Sequence, residues 1–440
     1  MPLREGVLTG NPIRHYRRFR RDPISFLAST QSLGDLVRVP NVSGKTSYII
    51  HHPDLVRVIL ALDEDKVIKG ASAKILGLTL GEGLLTSEAQ THARQRRQLQ
   101  PAFHAEAIEQ LTDDILRLTD ARIATWATGH SISITQQLLD LTLDIVFEGL
   151  FGTKVGSDRA ALHAIIEEIV QYSAERLMQS VPLPYWLPTR ANRSHHKAVR
   201  TLDAIIAQLL QNTANTTGKN NMLTFLLNVQ NADGTALPVE EIRDQLVTFI
   251  IAGHETTANL LGWMIYTLAE NPHVRPKLYA EVDTVLGTHR PNYVDVRQLG
   301  YLRQVMRETL RLYPPAWTML RENIAPIETD DVTIRPKSTL IISPYLLHRD
   351  PQWFRDADQF LPERFDPALE HTWPRFAYIP FGAGSRTCIG NTLAQTEVTL
   401  VMTRILQKYR WSIDETHPVE VEPSVSLRVK GELWGRFEAR

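Results

Sequence analysis

Apolar residues recur every three or four positions through most of this chain, and segments with that rhythm read as helices. EAIEQLTDDILRLTDARIATWA, ISITQQLLDLTLDIVFEGLFG and NTLAQTEVTLVMTRILQKYR all carry it. In the last, Ile389, Leu393 and Leu400, with Ala394, Val401 and Ile405 beside them, make one apolar face. A further helix is expected from about Leu302 to Tyr313, and THARQRRQLQPAF reads as a basic helix that breaks at Pro101. Strand-like stretches are short. LVRVPNV and TSYIIHHP predict two strands joined by a turn at Ser43 and Gly44, with a helix from about Asp54. STLIISPYLL, WSIDET, PVEVEPS and LRVKGEL predict minor β segments towards the end. The stretch from Ser180 to Arg200 breaks the rhythm with three prolines, Tyr185, Trp186 and a basic run. It predicts a long irregular connection, of the kind used for lids. With no repeat, low-complexity tract or linker, the pattern predicts a mainly α fold with a minor β portion, residues 1–440 forming a single domain.

The longest apolar run, Val247 to Ala269, has the length of a membrane span, but His254, Glu255 and Asn259 sit near its middle. Ionisable groups are expensive at bilayer depth. The segment therefore predicts the buried central helix of a large helical domain, and its acid needs a reason.

Composition narrows the function classes. Forty-eight basic residues stand against forty-nine acidic ones, a formal net charge of -1. No global field attracts nucleic acid or an acidic membrane. The arginines at 14, 17, 18, 20 and 21 predict a solvated helix face, and the N-terminal stretch lacks the apolar core of a signal or anchor. One cysteine in 440 residues excludes an intrachain disulfide framework, a multi-cysteine zinc site and a protein-held iron–sulfur cluster. That usage fits a reducing cytoplasm.

The lone cysteine, Cys388, lies in FGAGSRTCIG, Phe381 to Gly390. A single cysteine is ordinarily a small buried hydrophobe. Here Gly382, Gly384 and Gly390 allow close backbone approach, and a helix beginning at about Cys388 would favour thiolate over thiol. A nucleophile would need a histidine base, and no nearby motif supplies one. A single thiolate suits an iron already held in a porphyrin. Arg386 would then meet a propionate, and Phe381 would cover the thiolate side of the ring.

On these residues the loop resembles the haem-binding loop of the cytochrome P-450 family, the haem-thiolate monooxygenases. Three further motifs follow the family's order and spacing, so the resemblance extends from about Ser43 onward. The first is Glu308 and Arg311 in RETLRLYPP with Arg364 in LPERFDP, which the resemblance makes a buried charge network behind the haem loop. In the second, AGHETT (Ala252 to Thr257), the resemblance implies that small residues leave room for dioxygen, that Thr256 hydrogen-bonds it and that Glu255 relays protons. The last is the basic helix, where His92 and Arg96 would hold a propionate, as would Lys69. Arg94 and Arg97 are expected to be solvated or to face a partner.

The resemblance implies a haem b cofactor between the central helix and the cysteine loop, with Cys388 as the iron ligand. It implies insertion of one atom of dioxygen into a lipophilic substrate such as a fatty acid, terpenoid, steroid or polyketide. Because the chain ends about fifty residues after Cys388, the electrons are expected from a separate ferredoxin or flavodoxin with its NAD(P)H-dependent reductase. A cytoplasmic enzyme without a membrane anchor is expected. Three alternatives remain beside it: a peroxygenase using hydrogen peroxide, a haem sensor or carrier without turnover, and a helical protein with no cofactor. By the same resemblance the substrate walls are expected in a loop around Ser72 to Leu85, the Ser180–Arg200 connection, Phe249, Ile250 and PPAWTML.

Overall fold

The structure, a computed structural model, describes residues 2–40, 44–62, 64–126, 129–155, 159–179, 182–213 and 221–440. The expected turn residue Ser43 and the first residue of the proline-rich connection, Ser180, lie outside them.

The long apolar run is part of one 32-residue helix, Val239–Glu270, with Glu240 and Glu241 at its electropositive start. It is buried on nearly every side, with Leu246, Val247, Ile250, Leu261 and Met264 fully enclosed. Its main neighbour is the helix Ile134–Asp144. That helix continues as a π-helical turn, Ile145–Leu150. Gly253 faces this turn closely, since a Cβ on it would lie 3.5 Å from Val146 Cγ2. Around the central helix runs one apolar core, drawing residues from Leu80 to Phe437. Among the described residues no helix is long and apolar enough to cross a membrane.

The β portion is small. Six strands form one sheet in the order Glu5–Val7, Leu36–Pro40, Thr46–Ile50, Thr339–Ile342, Met319–Asn323 and Val67–Ile68. The expected early strands pair antiparallel, and Thr46–Ile50 then runs parallel to Thr339–Ile342. Tyr409–Ile413, Trp434–Ala439 and Ile132–Ser133 make a second sheet. Val421–Pro423 and Leu427–Val429 form a terminal hairpin.

Several boundaries differ from expectation for local reasons. PYLL is a short helix, not strand, because the Ser343 side chain caps it and Pro344 sits at its first position. Much of Ser72 to Leu85 is the helix Ala71–Leu80. A 24-residue helix starts at Arg190, so only the prolines' half of the Ser180–Arg200 segment is irregular. Its basic residues Arg193, Lys197 and Arg200 are exposed on that helix, as are Arg14, Arg17, Arg18, Arg20 and Arg21 on Pro12–Arg21.

The charge network expected behind the loop is present. Arg311 Nε and Nη2 donate to Glu308 Oε2 and Oε1, both at 2.8 Å. Arg364 Nε donates to Glu308 Oε1 at 3.0 Å. Glu308 and Arg311 are completely buried.

Candidate active site

The cysteine loop is held by its own backbone. Cys388 N–H donates to the Phe381 carbonyl at 2.9 Å, and Thr387 N–H to the Gly384 carbonyl at 3.2 Å. Gly382 and Gly384 both adopt left-handed φ, +70° and +71°, which admits the fold-back without Cβ strain. The following helix begins at Asn391, not at Cys388 as expected, so Ile389 lies before it. It is the Gly390 amide that reaches the sulfur.

Cys388 is exposed, yet burial pushes its thiol up, against the opposing pulls of the Gly390 amide and the Arg96 charge. Exposure of the side chain together with that desolvation marks an interior cleft, not bulk solvent. The expected preference for thiolate is therefore corrected. Loop and helix dipoles do not overcome desolvation alone, so the thiolate needs a cation beside it. The opposite wall behaves alike: Ala252 is exposed midway along the buried central helix. Phe103 connects the two walls. Its ring sits 3.8 Å from where a Cβ on Gly390 would be, and edge-on to Phe249 of the central helix with centroids 5.8 Å apart.

Beside the loop lies a cluster of cations. Arg386 Nη2 is 2.7 Å from Glu64 and 2.9 Å from Glu88. His92 Nδ1 is 2.7 Å from Glu64, and Arg96 Nη1 donates to the Thr387 carbonyl at 2.6 Å. Lys69 Nζ donates to the Leu85 carbonyl, and Arg321 Nη1 to the Leu320 carbonyl. Burial, then the charges of Arg321 and Arg386, push the Lys69 ammonium down to about 7. Burial and Arg386 push Arg321 down to about 10. His92, desolvated and facing Arg386, falls to about 4 and is neutral near pH 7.

These residues fit a b-type haem. Among the described residues Glu64 and Glu88 are the acids that act on Lys69, Arg321 and Arg386; with Arg96 beside them and Lys69 only partly charged near pH 7, the cluster keeps a surplus of positive charge that propionates would offset. Among the described residues, buried Arg386 Nη1 finds no hydrogen-bond partner. A single thiol opens on the same cleft, and no group of three or more metal-ligating side chains occurs among the described residues.

On the central helix Thr256 Oγ1 donates to the Ala252 carbonyl at 2.6 Å, the back-bond expected from AGHETT. Glu255 is buried, and desolvation pushes its carboxyl up. It points to the terminal hairpin, where Ser426 Oγ donates to Oε1 at 2.7 Å.

Sequence reasoning named Phe381, Arg386, Cys388, His92, Arg96, Glu255 and Thr256, and the structure groups the first five around the loop and the last two on the facing helix. It did not name their neighbours Arg321, Glu64, Glu88 and Ser426, which nothing local distinguishes from surface charge or turn residues. Arg94, expected to be solvated or partner-facing, is bound 2.9 Å from Glu241, whereas Arg97 is exposed. Ile250 and Trp317, expected in the substrate wall, are core residues, the Trp317 indole donating to the Ser424 carbonyl at 2.9 Å.

Comparison with known proteins agrees with this geometry. The cytochrome P-450 family profile matches residues 16–433. Cyclooctatin synthase of Streptomyces melanosporofaciens is 33% identical, over 94% of this chain and 91% of its own. The cyclooctat-9-en-7-ol 5-monooxygenase of the same organism is 33% identical, over 90% of this chain and 86% of its own. Pentalenene oxygenase of Streptomyces avermitilis is 30% identical, over 94% and 91%. Cleft, loop and relatives agree on a haem b monooxygenase that takes dioxygen, a lipophilic substrate and electrons from a redox partner: the chain belongs to the cytochrome P-450 family.

Proposed function

We propose that this monooxygenase oxidises a terpenoid, that residues 1–440 act as one domain, and that a separate ferredoxin or flavodoxin with an NAD(P)H-dependent reductase supplies its electrons. The names of the relatives support the substrate class, since pentalenene oxygenase and the cyclooctat-9-en-7-ol monooxygenase each act on one. An apolar wall that includes Phe249 and the half-buried Leu76 and Leu85 suits such a molecule.

Haem b, when bound, supplies the iron at which dioxygen is activated. Cys388 is its ligand in this reading, and Phe381 limits water on that side. Arg386, Arg96, Arg321 and Lys69 hold the propionates, with the neutral His92 donating a hydrogen bond. Opposite, Ala252 and Gly253 leave room for dioxygen. Thr256 holds a proton on its hydroxyl, and Glu255, whose carboxyl burial pushes up, brings protons into a site otherwise closed to water.

The observation that carries this reading is Cys388, alone in the sequence and open to an interior cleft ringed by surplus cations. Reduced protein under carbon monoxide is expected to show a strongly red-shifted Soret band that Cys388→Ser loses while keeping its fold. Haem-replete wild-type protein without that shift would remove the thiolate assignment.

Turnover reconstituted with a ferredoxin or flavodoxin and its reductase checks the rest. Thr256→Ala is expected to consume NAD(P)H at a similar rate while forming on the order of tenfold less product. An unchanged ratio of product to NAD(P)H would show that Thr256 delivers no proton, and substrate turnover with NAD(P)H but no carrier protein would overturn the partner assignment.

A further inference from the structure

Glu255 is a buried acid that accepts a hydrogen bond from the hydroxyl of Ser426, 171 residues further along the chain, and is also hydrogen-bonded by the Asn259 side chain. Ser426 is 3% exposed at the turn of the terminal hairpin. Three bonds fix that turn. The Trp317 indole donates to the Ser424 carbonyl at 2.9 Å, the Trp263 indole to the Leu427 carbonyl at 3.2 Å, and Leu427 N–H to the Pro315 carbonyl at 2.9 Å. The hydroxyl is therefore carried by a rigid support.

Its direction is also fixed. Asn259, one helical turn beyond Glu255, donates its amide N–H to Ser426 Oγ at 2.9 Å. An amide nitrogen only donates, so the serine oxygen accepts there and its single hydrogen goes to Glu255 Oε1. The order of donors runs from Asn259 through Ser426 to Glu255. Oε1 is thereby occupied as an acceptor.

We propose that Ser426, oriented by Asn259, is a positioning residue for proton delivery: by tying down Oε1 it holds the Glu255 carboxyl in the orientation from which the acid passes on its proton. The proposal rests on the reading of Glu255 as the proton-delivering acid. A proton that leaves the carboxyl is replaced from solvent, and the serine hydroxyl loses nothing. The charged groups that act on this carboxyl are Arg428 of the hairpin, which favours its ionised form, and Glu167 of the helix Arg159–Leu177, which opposes it. Arg428 is hydrogen-bonded to Glu167 at 2.9 Å and to Glu422 at 2.7 Å, both at the solvent side.

The test uses the full haem-loaded chain with a reconstituted electron supply. In Ser426→Ala, the carboxyl C=O band of Glu255, identified by its loss in Glu255→Gln, is expected to move to higher frequency in infrared difference spectra. Its titration midpoint is expected at higher pH, because the lost hydrogen bond favoured the ionised form. Product per NAD(P)H is expected to fall on the order of tenfold, as for a misplaced reacting group, while the substrate-induced spectral titration stays unchanged. Ser426→Thr, which keeps the hydroxyl, should restore band and coupling. Should Ser426→Ala fail to fold, Ser426→Cys, close in size but a weak donor, is expected to show the same changes in smaller degree. An unmoved band and wild-type coupling in a folded variant overturn the positioning role. Wild-type coupling in Glu255→Gln would overturn the underlying acid assignment instead; loss there with an unaffected Ser426→Ala sinks the positioning role alone.

Discussion

Arg311→Ala is expected to leave the protein without haem and largely unfolded. The guanidinium is fully enclosed, and each of its five N–H groups has a defined acceptor. Two go to Glu308, and Nη1 also donates to the carbonyls of His348 at 2.8 Å and Ala357 at 2.6 Å. The fifth reaches the Gln359 carbonyl at 2.9 Å. Truncation leaves three carbonyls unpaired and the Glu308 carboxylate with only Arg364 and the Leu361 amide. Breaking a buried pair costs roughly 3–5 kcal/mol, and each orphaned carbonyl about 1–3 more. Against a stability of about 5–15 kcal/mol, that removes most of the fold's margin. Lysine is no substitute, because a point charge with three donors cannot bridge a carboxylate and three carbonyls. The bound carbonyls belong to the stretch that leads to Phe381, so the cysteine loop loses its backing first. Soret absorbance per protein and the urea midpoint check this; normal haem content in Arg311→Ala would contradict it.

The network was legible because two of its members are three residues apart on one helix and the third has a fixed offset in a motif. Helices were legible because each repeats its apolar face over many residues, as Val247 to Ala269 does. Elements that depend on one side chain were not. PYLL reads as strand until Ser343 caps it, and the start of the last helix could not be placed against Cys388 because the glycine cap at Gly390 carries no side chain to signal it. The propionate cluster shows a deeper limit. Arg321 and Glu88 come from separate elements, and only the approach of the sheet to the basic helix sets them around Arg386. Ser426 is harder still, since a serine at a hairpin turn looks like any other turn residue. Charge balance explains why the desolvated thiol was misjudged: dipoles are visible in sequence, whereas burial is a property of the whole fold.

Gly384→Ala is expected to abolish haem retention, whereas Gly382→Ala, two residues earlier in the same loop, keeps it. Both glycines have left-handed φ, +71° and +70°, so both substitutions carry backbone strain of about 1 kcal/mol. Space separates them. A Cβ on Gly384 would lie 1.9 Å from the Leu60 carbonyl oxygen and 3.0 Å from its carbon. Those are backbone atoms near the end of the helix Pro53–Ala61, which cannot rotate away as a side chain could. On Gly382 the nearest atoms would be 3.8 Å off, an ordinary contact. Overpacking against fixed atoms costs about 1–3 kcal/mol and is relieved only by moving one partner. The loop is the weaker one, since it is held by a few turns while the helix is anchored by the buried Leu55, Val56 and Ile59. Shifting it draws Ser385 from Glu64, a contact of 2.9 Å, and carries Arg386 away from Glu64 and Glu88. One methyl group would thus separate the sulfur from the cations that define the ring's edge. Haem content and the carbon monoxide spectrum of the two variants, compared at equal protein, decide it: equal retention would mean that this close approach does not set the position of Cys388.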